Sequence, residues 1–222
     1  MDEKFQEIKR YFDELDSISL KNKTHTKNNA AGMYAPISLE HLTLGMDFLV
    51  DNSVIDVTST FCHAGSNDGR VVILSSEVYK IPSIGVQYDG LLATGSRINI
   101  LILQDPSIVD RYSVEILAGE FTKDKTYNSN DVSFEKIKTF FNHVDNHYAM
   151  AEKIARQSPK DTMFILNSSQ PSPYVFPGLK LELSLELKDG AQIAIERSSK
   201  VIANSENLKP LIDRDFMHIY RN

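Results

Sequence analysis

The chain of 222 residues has one cysteine, no tryptophan and no run of Lys or Arg. It also has no apolar stretch near the roughly 20 residues that a membrane-spanning helix needs. The lone thiol, Cys62, excludes an internal disulfide framework. The opening MDEKFQEIKRYFDEL lacks the basic, apolar and small-residue succession of a secretory leader, so a cytoplasmic protein with no membrane association is expected. A net charge of −6 without a basic cluster argues against a broad phosphate-binding surface, and no nucleic-acid partner is expected. No repeat of 20 to 50 residues is present, which excludes solenoids and propellers. With 41% hydrophobic and 24% charged residues, the chain falls outside the disordered class and is long enough to bury a substantial core.

Phe5, Ile8, Phe12 and Leu15 recur at intervals of three and four, predicting an amphipathic helix over residues 2–16. The polar segment 21–32, KNKTHTKNNAAG, reads as a connector, so residues 1–32 form a helical extension and residues 33–222 the main domain. Ser38 is a candidate N-cap for a second helix with Leu39, Leu42, Met46 and Leu49 on its buried face. From Ile55 onward, short β-rich runs alternate with helical segments: 57–64, 83–88, 113–119, 136–142 and 162–168. Helices follow the first, second and fourth, a loop follows the third, and Pro159 closes the helix of 145–158. This rhythm predicts an α/β fold with a mostly parallel, doubly wound sheet. LKLELSLEL (179–187) then alternates with period two and joins AQIAIER (191–197) through Asp189-Gly190, predicting a C-terminal antiparallel hairpin.

Residues 61–90 carry the chemistry: a strand, a turn with Gly65 and Gly69 around Ser66-Asn67-Asp68, a helix, and a second strand ending at Gln87-Tyr88-Asp89. Such a turn brings backbone close to a ligand at a helix N-terminus, and a polar side chain about 20 residues later can reach ribose hydroxyls. His63-Ala64-Gly65-Ser66-Asn67-Asp68-Gly69-Arg70 resembles motif I of the class I, seven-strand S-adenosylmethionine-dependent methyltransferases, usually an acid followed by Leu-Gly-Ser-Gly-Asp-Gly-Arg. The resemblance extends over residues 34–197, and its Pro-containing approach and Gly-Asp-Gly-Arg turn are similar to those of the seven-strand protein-lysine methyltransferases.

The resemblance implies a Rossmann-like methyltransferase sandwich, S-adenosylmethionine as cofactor, methyl transfer without a metal, and a protein lysine as acceptor. It places Gly65, Ser66, Asn67 and Gly69 beneath the cofactor, with His63 at the motif I acid position. Gln87 and Tyr88 come to the ribose side, Glu120 to the adenine side, and Tyr34 over the site. Asn142, His143 and Asp145 are placed where acceptors are contacted. Three positions depart from the pattern: His63 and Gln87 replace acids and Asn67 replaces a glycine. Losing two charge-assisted contacts predicts cofactor binding weakened by ~1–3 kcal/mol, about one to two decades, or lost. A catalytically degenerate binding or scaffold protein is therefore the competing expectation. A dinucleotide-dependent oxidoreductase is disfavoured because the turn lacks Gly-x-Gly-x-x-Gly.

Plainer roles stand beside these. His63 can be a structural histidine, Cys62 an inert packing thiol and Asp145 a helix cap. The His143/His147 spacing suits two ligands on one helix face, though without further partners it makes a poor zinc site. Pro171, Pro173 and Pro177 either shape a substrate wall or stiffen a connector. The Phe5/Phe12 face either packs in the core or serves as a lid over the crevice.

Overall fold

The computed structural model describes residues 3–21, 27–29, 32–34, 36–104, 114–143, 146–188, 191–195 and 215–222. Helix α1 (Glu3–Lys21) is followed by two short antiparallel strands, β1 (Lys27–Asn29) and β2 (Gly32–Tyr34), within what the sequence reads as a plain connector. Helix α2 (Leu39–Asp51) begins at Ser38, whose hydroxyl accepts from the His41 N–H at 3.2 Å. The alternating units come next. β3 (Phe61–Ala64) leads to α3 (Arg70–Glu77), β4 (Ser83–Gln87) to α4 (Gly90–Leu103), and β5 (Val114–Ala118) to a short α5 (Asp124–Asn128). β6 (Thr139–Asn142) leads to α6 (His147–Gln157), and β7 (Met163–Ser168), β8 (Lys180–Lys188), β9 (Ala191–Ile195) and β10 (Asp215–Arg221) complete the described elements.

Eight strands form one sheet in the order β5-β4-β3-β6-β7-β10-β8-β9. The first five are mutually parallel. β10 runs antiparallel to both β7 and β8, and β9 antiparallel to β8. The five parallel runs and the hairpin lie where the sequence puts them. The short helix after β5 replaces the expected loop, and β10 carries no signal strong enough to be recognised. Its run Phe216, Met217, His218, Ile219, Tyr220 becomes a strand because β7 and β8 flank it on both sides.

Successive side chains of a strand point to opposite faces, so each strand feeds two cores. Phe61, Phe141, Ile165 and Met217 join α1, α2, α3 and α4 in one. Cys62, Ala64, Phe140, Phe164 and Tyr220 join α6 in the other. Phe5, Ile8 and Phe12 belong to the first, so α1 is core packing and not a movable lid. Burying three such side chains contributes roughly 5–8 kcal/mol before entropy, which ties α1 to the body.

Candidate functional site

In doubly wound sheets, ligands bind beyond the carboxyl ends of the strands where the order reverses. That point here lies between β3 and β6, whose neighbours run outward in opposite directions. The turn 65–69 leaves β3 at this place with three left-handed residues: Gly65 (φ 81°), Asn67 (φ 50°) and Gly69 (φ 85°). Asparagine tolerates this region better than most side chains, so the turn survives the replacement at position 67. Gly85 is required for a different reason. A Cβ there would lie 2.6 Å from both the Ser66 Cβ and the Ile116 Cδ1, so its absence makes room for the turn itself.

The rear of the turn is held by charge. Arg70 Nη1 and Nη2 donate to the two Asp16 carboxylate oxygens of α1 at 2.9 and 2.7 Å. Arg70 Nε and Nη2 donate to Asp68 at 2.9 and 2.7 Å, and Nη1 also reaches the Ile37 carbonyl at 3.2 Å. Its guanidinium lies 4.8 Å from the Phe12 ring centroid. From α4, the Ser96 hydroxyl donates to the Asn67 carbonyl at 2.5 Å and the Asn99 amide to the Asp68 carbonyl at 2.9 Å. Tyr11 of α1 donates to Asn99 Oδ1 at 2.8 Å. Of the side chains that hold the turn from behind, only Asp68 and Arg70 belong to the motif. The others come from segments 29 to 88 residues away from their partners, beyond local pattern reading.

The front of the turn is built from two imidazoles and an amide. His63 lies on the Phe61 side of β3, fully buried, with its ring 5.1 Å from Phe141. His63 Nε2 sits 2.9 Å from His143 Nδ1, and Asn67 Nδ2 sits 3.1 Å from His143 Nε2. If the Asn67 amide donates, His143 Nε2 accepts and His143 Nδ1–H donates to His63 Nε2, which leaves the proton of His63 on Nδ1. That Nδ1 and the Ser66 hydroxyl are both buried with no hydrogen-bond partner among the described residues. Burial, and secondarily the neighbouring His143, holds His63 well below the ordinary histidine pKa, so it is neutral at pH 7.

The remaining candidates are dispersed. Gln87 is buried at the end of β4, where its Oε1 accepts from the Tyr88 N–H at 2.9 Å, and the Tyr88 ring is half-exposed. Asp89 caps α4 by accepting from the Leu91 and Leu92 N–H groups. Glu120 accepts from the Thr122 hydroxyl at 2.6 Å and helps to line a concavity of about 440 Å³ with Gly119, Thr126 and Lys123. A second concavity of about 590 Å³ is bounded by α1 alone and holds none of the candidates. Asn142 is fully buried, its amide donating to the Ala64 carbonyl at 2.9 Å, so it ties β6 to β3. Tyr34 is described only as backbone in β2, and Asp145 lies outside the described residues.

Helix α6 starts at His147, four residues beyond His143, so the two histidines do not share a helix face. His143 turns to the glycine turn, while His147 packs 4.6 Å from the Tyr174 ring. Among the described residues, no three His, Cys, Asp or Glu side chains gather as a metal site. Nor is any described helix long and apolar enough to cross a membrane. Cys62 is buried, which pushes its thiol pKa up and keeps it unreactive.

No protein-family model matches the sequence, and no curated protein sequence does. Solved structures do match the fold. A mutant of MtNAS in complex with S-adenosylmethionine superposes with a TM-score of 0.52 at 13% identity, over 99% of this chain and 70% of that one. A geranyl diphosphate methyltransferase in complex with GPP and sinefungin gives 0.51 at 11% identity, over 81% of this chain and 78% of that one. This chain has the class I methyltransferase fold. An RNA methyltransferase from Salinibacter ruber in complex with S-adenosyl-L-homocysteine matches at 0.48 and 14% identity, over 84% of this chain and 93% of that one. A late strand lying antiparallel between β7 and β8 is the feature of the sheet that accords with this fold.

The residues at the crevice fit the neutral part of S-adenosylmethionine. The orphaned Ser66 hydroxyl and the buried Gln87 amide offer hydrogen-bonding capacity beside a turn held open by left-handed residues. The cationic amino-acid end has less. Asp68 is committed to Arg70, and His63 presents a neutral ring where an acid is expected.

Proposed function

We propose that the protein binds S-adenosylmethionine at the β3/β6 crevice, more weakly than a chain with the complete motif, and transfers its methyl group to an acceptor. The supporting observation is the turn 65–69, whose shape is fixed by α1 and α4 and which lies at the point where the strand order reverses, with the Ser66 hydroxyl, unpartnered among the described residues, packed over Gly85. The bound group supplies a methyl on a sulfonium, already a good leaving group, so the chain needs to position and desolvate. Ser66 and Asn67 would support it from below, and Gln87 would meet the ribose by releasing its bond to the Tyr88 N–H. His143, between Asn67 and the end of β6, would face the acceptor side.

The narrower resemblance points to a protein lysine, but the structural relatives lend that acceptor no support. We leave it as any nucleophile that can enter beyond β6 and β7. Isothermal titration with S-adenosylmethionine and S-adenosylhomocysteine tests the reading: saturable micromolar binding of either is expected. Absence of heat for both up to millimolar ligand would overturn it.

One observation favours a second reading, a non-catalytic scaffold. His143 bridges His63 and Asn67 across the front of the turn, and Gln87 folds back on its own backbone. Under that reading neither ligand binds even after Gln87→Glu. Under the first, that substitution tightens binding by about tenfold through a charge-assisted bond.

A further inference from the structure

Helix α4 is apolar on two sides. Its inner side carries Ala93, Ser96, Asn99, Ile100 and Leu103, all buried. At 100° per residue, Leu91, Ile98, Leu101 and Ile102 fall together on the opposite side, and they are 86%, 51%, 79% and 55% exposed. Together they present on the order of 500 Å² of apolar surface, near the top of the range for a monomer. The helix has a single charged residue, Arg97, and its guanidinium is turned aside to the Ile116 carbonyl at 2.7 Å. Thr94 lies inside the exposed stripe with its hydroxyl donating to the Gly90 carbonyl at 2.9 Å, and Gly95 lies beside it, where an added Cβ would meet nothing within 4 Å among the described residues.

We propose that this face binds a second copy of the chain, two α4 helices packing antiparallel about a twofold axis. Charge favours this face for a contact between copies. The chain carries −6, so two copies repel over most approaches, and the uncharged α4 face is where that repulsion is weakest. A strongly charged partner would find no complementary group on it. Geometry agrees. The helix is 14 residues, about 21 Å, so an antiparallel pair sets Leu91 of each copy against Leu101 and Ile102 of the other, with Ile98 near the axis. The four side chains supply more than half of the ~800 Å² per partner that a stable interface buries, and exposed Thr94 and half-exposed Tyr88 add to it.

Light scattering coupled to size exclusion over a dilution series tests this with the full chain. The expected mass is twice 25.1 kDa for the natural sequence, falling to the monomer for Ile98→Glu and Leu101→Glu with unchanged circular dichroism. Independently, Ile98→Cys should give a disulfide-linked dimer on mild oxidation, since the natural Cys62 is buried, whereas the more exposed Val175→Cys should not. A monomer at every concentration would overturn the proposal. So would a dimer that survives both Glu substitutions, or a monomer that floats with phosphatidylcholine–phosphatidylglycerol vesicles through these residues.

Discussion

The rear and the front of the turn 65–69 are built on opposite principles. Behind it, Arg70 satisfies two carboxylates and a carbonyl, and the hydrogen bonds join the turn to α1, α4 and the approach to α2. In front, two imidazoles and an amide contact one another, and two buried polar atoms have no partner among the described residues. The shape of the turn therefore does not depend on what occupies the crevice. Its front polar groups are those of His63, Asn67 and His143, of which only Asn67, at φ 50°, is also required by the backbone form. This explains how the turn keeps its form although His63, Asn67 and Gln87 differ from the motif it resembles.

The sharpest way to break the contrast is Arg70→Ala. Two carboxylates lose their partner, and removing one member of a buried ion network costs about 3–5 kcal/mol, read as a lowered denaturant midpoint. A stability near that of the natural chain would show that the rear is not what holds the turn.

Acidification should act on the front. His63 and His218 have pKa values lowered mainly by burial, so the unfolded chain takes up their protons first. Stability is then full above the ordinary histidine value of about 6.5 and falls as pH drops below it, by up to about 1.4 kcal/mol per pH unit for each residue. His63→Phe should remove its share of that slope between about pH 6.5 and 5.5, leaving the share of His218. An unchanged slope would place the titration elsewhere.

Asn99→Ala is a smaller perturbation. It removes the bonds to Tyr11 and the Asp68 carbonyl and should cost about 1–2 kcal/mol, with ligand affinity falling in step if the turn loosens. His143→Ala should change stability least, by about 1 kcal/mol or less, because its ring is only partly buried. It separates two roles. Tighter binding of S-adenosylhomocysteine means that His143 obstructs the crevice, whereas unchanged binding with lost turnover means that it serves the acceptor.

The parallel strands are legible because each is a short apolar run between turn residues, and the α2 start because Ser38 caps it. The motif announces the turn. Its supports are not legible, since Asp16, Tyr11, Ser96 and Asn99 look like ordinary polar positions of amphipathic helices until the fold brings them together. Asn142 illustrates the same limit from the other side: its position at a strand end suggests an acceptor contact, yet its amide is committed to the Ala64 carbonyl. His143 stands out in the sequence, but that it meets His63 and Asn67 follows only from the adjacency of β3 and β6.

The place of β10 bears on how the molecule assembles. It follows β8 and β9 in the chain yet lies between β7 and β8, so the hairpin cannot join the parallel strands until residues 215–221 arrive. A chain emerging from the ribosome would hold a preformed hairpin with an unpaired edge and a waiting slot beside β7, an aggregation-prone intermediate of the kind that slows folding and recruits chaperones. The docking of β10, and not the first nucleus, would then decide whether the sheet closes.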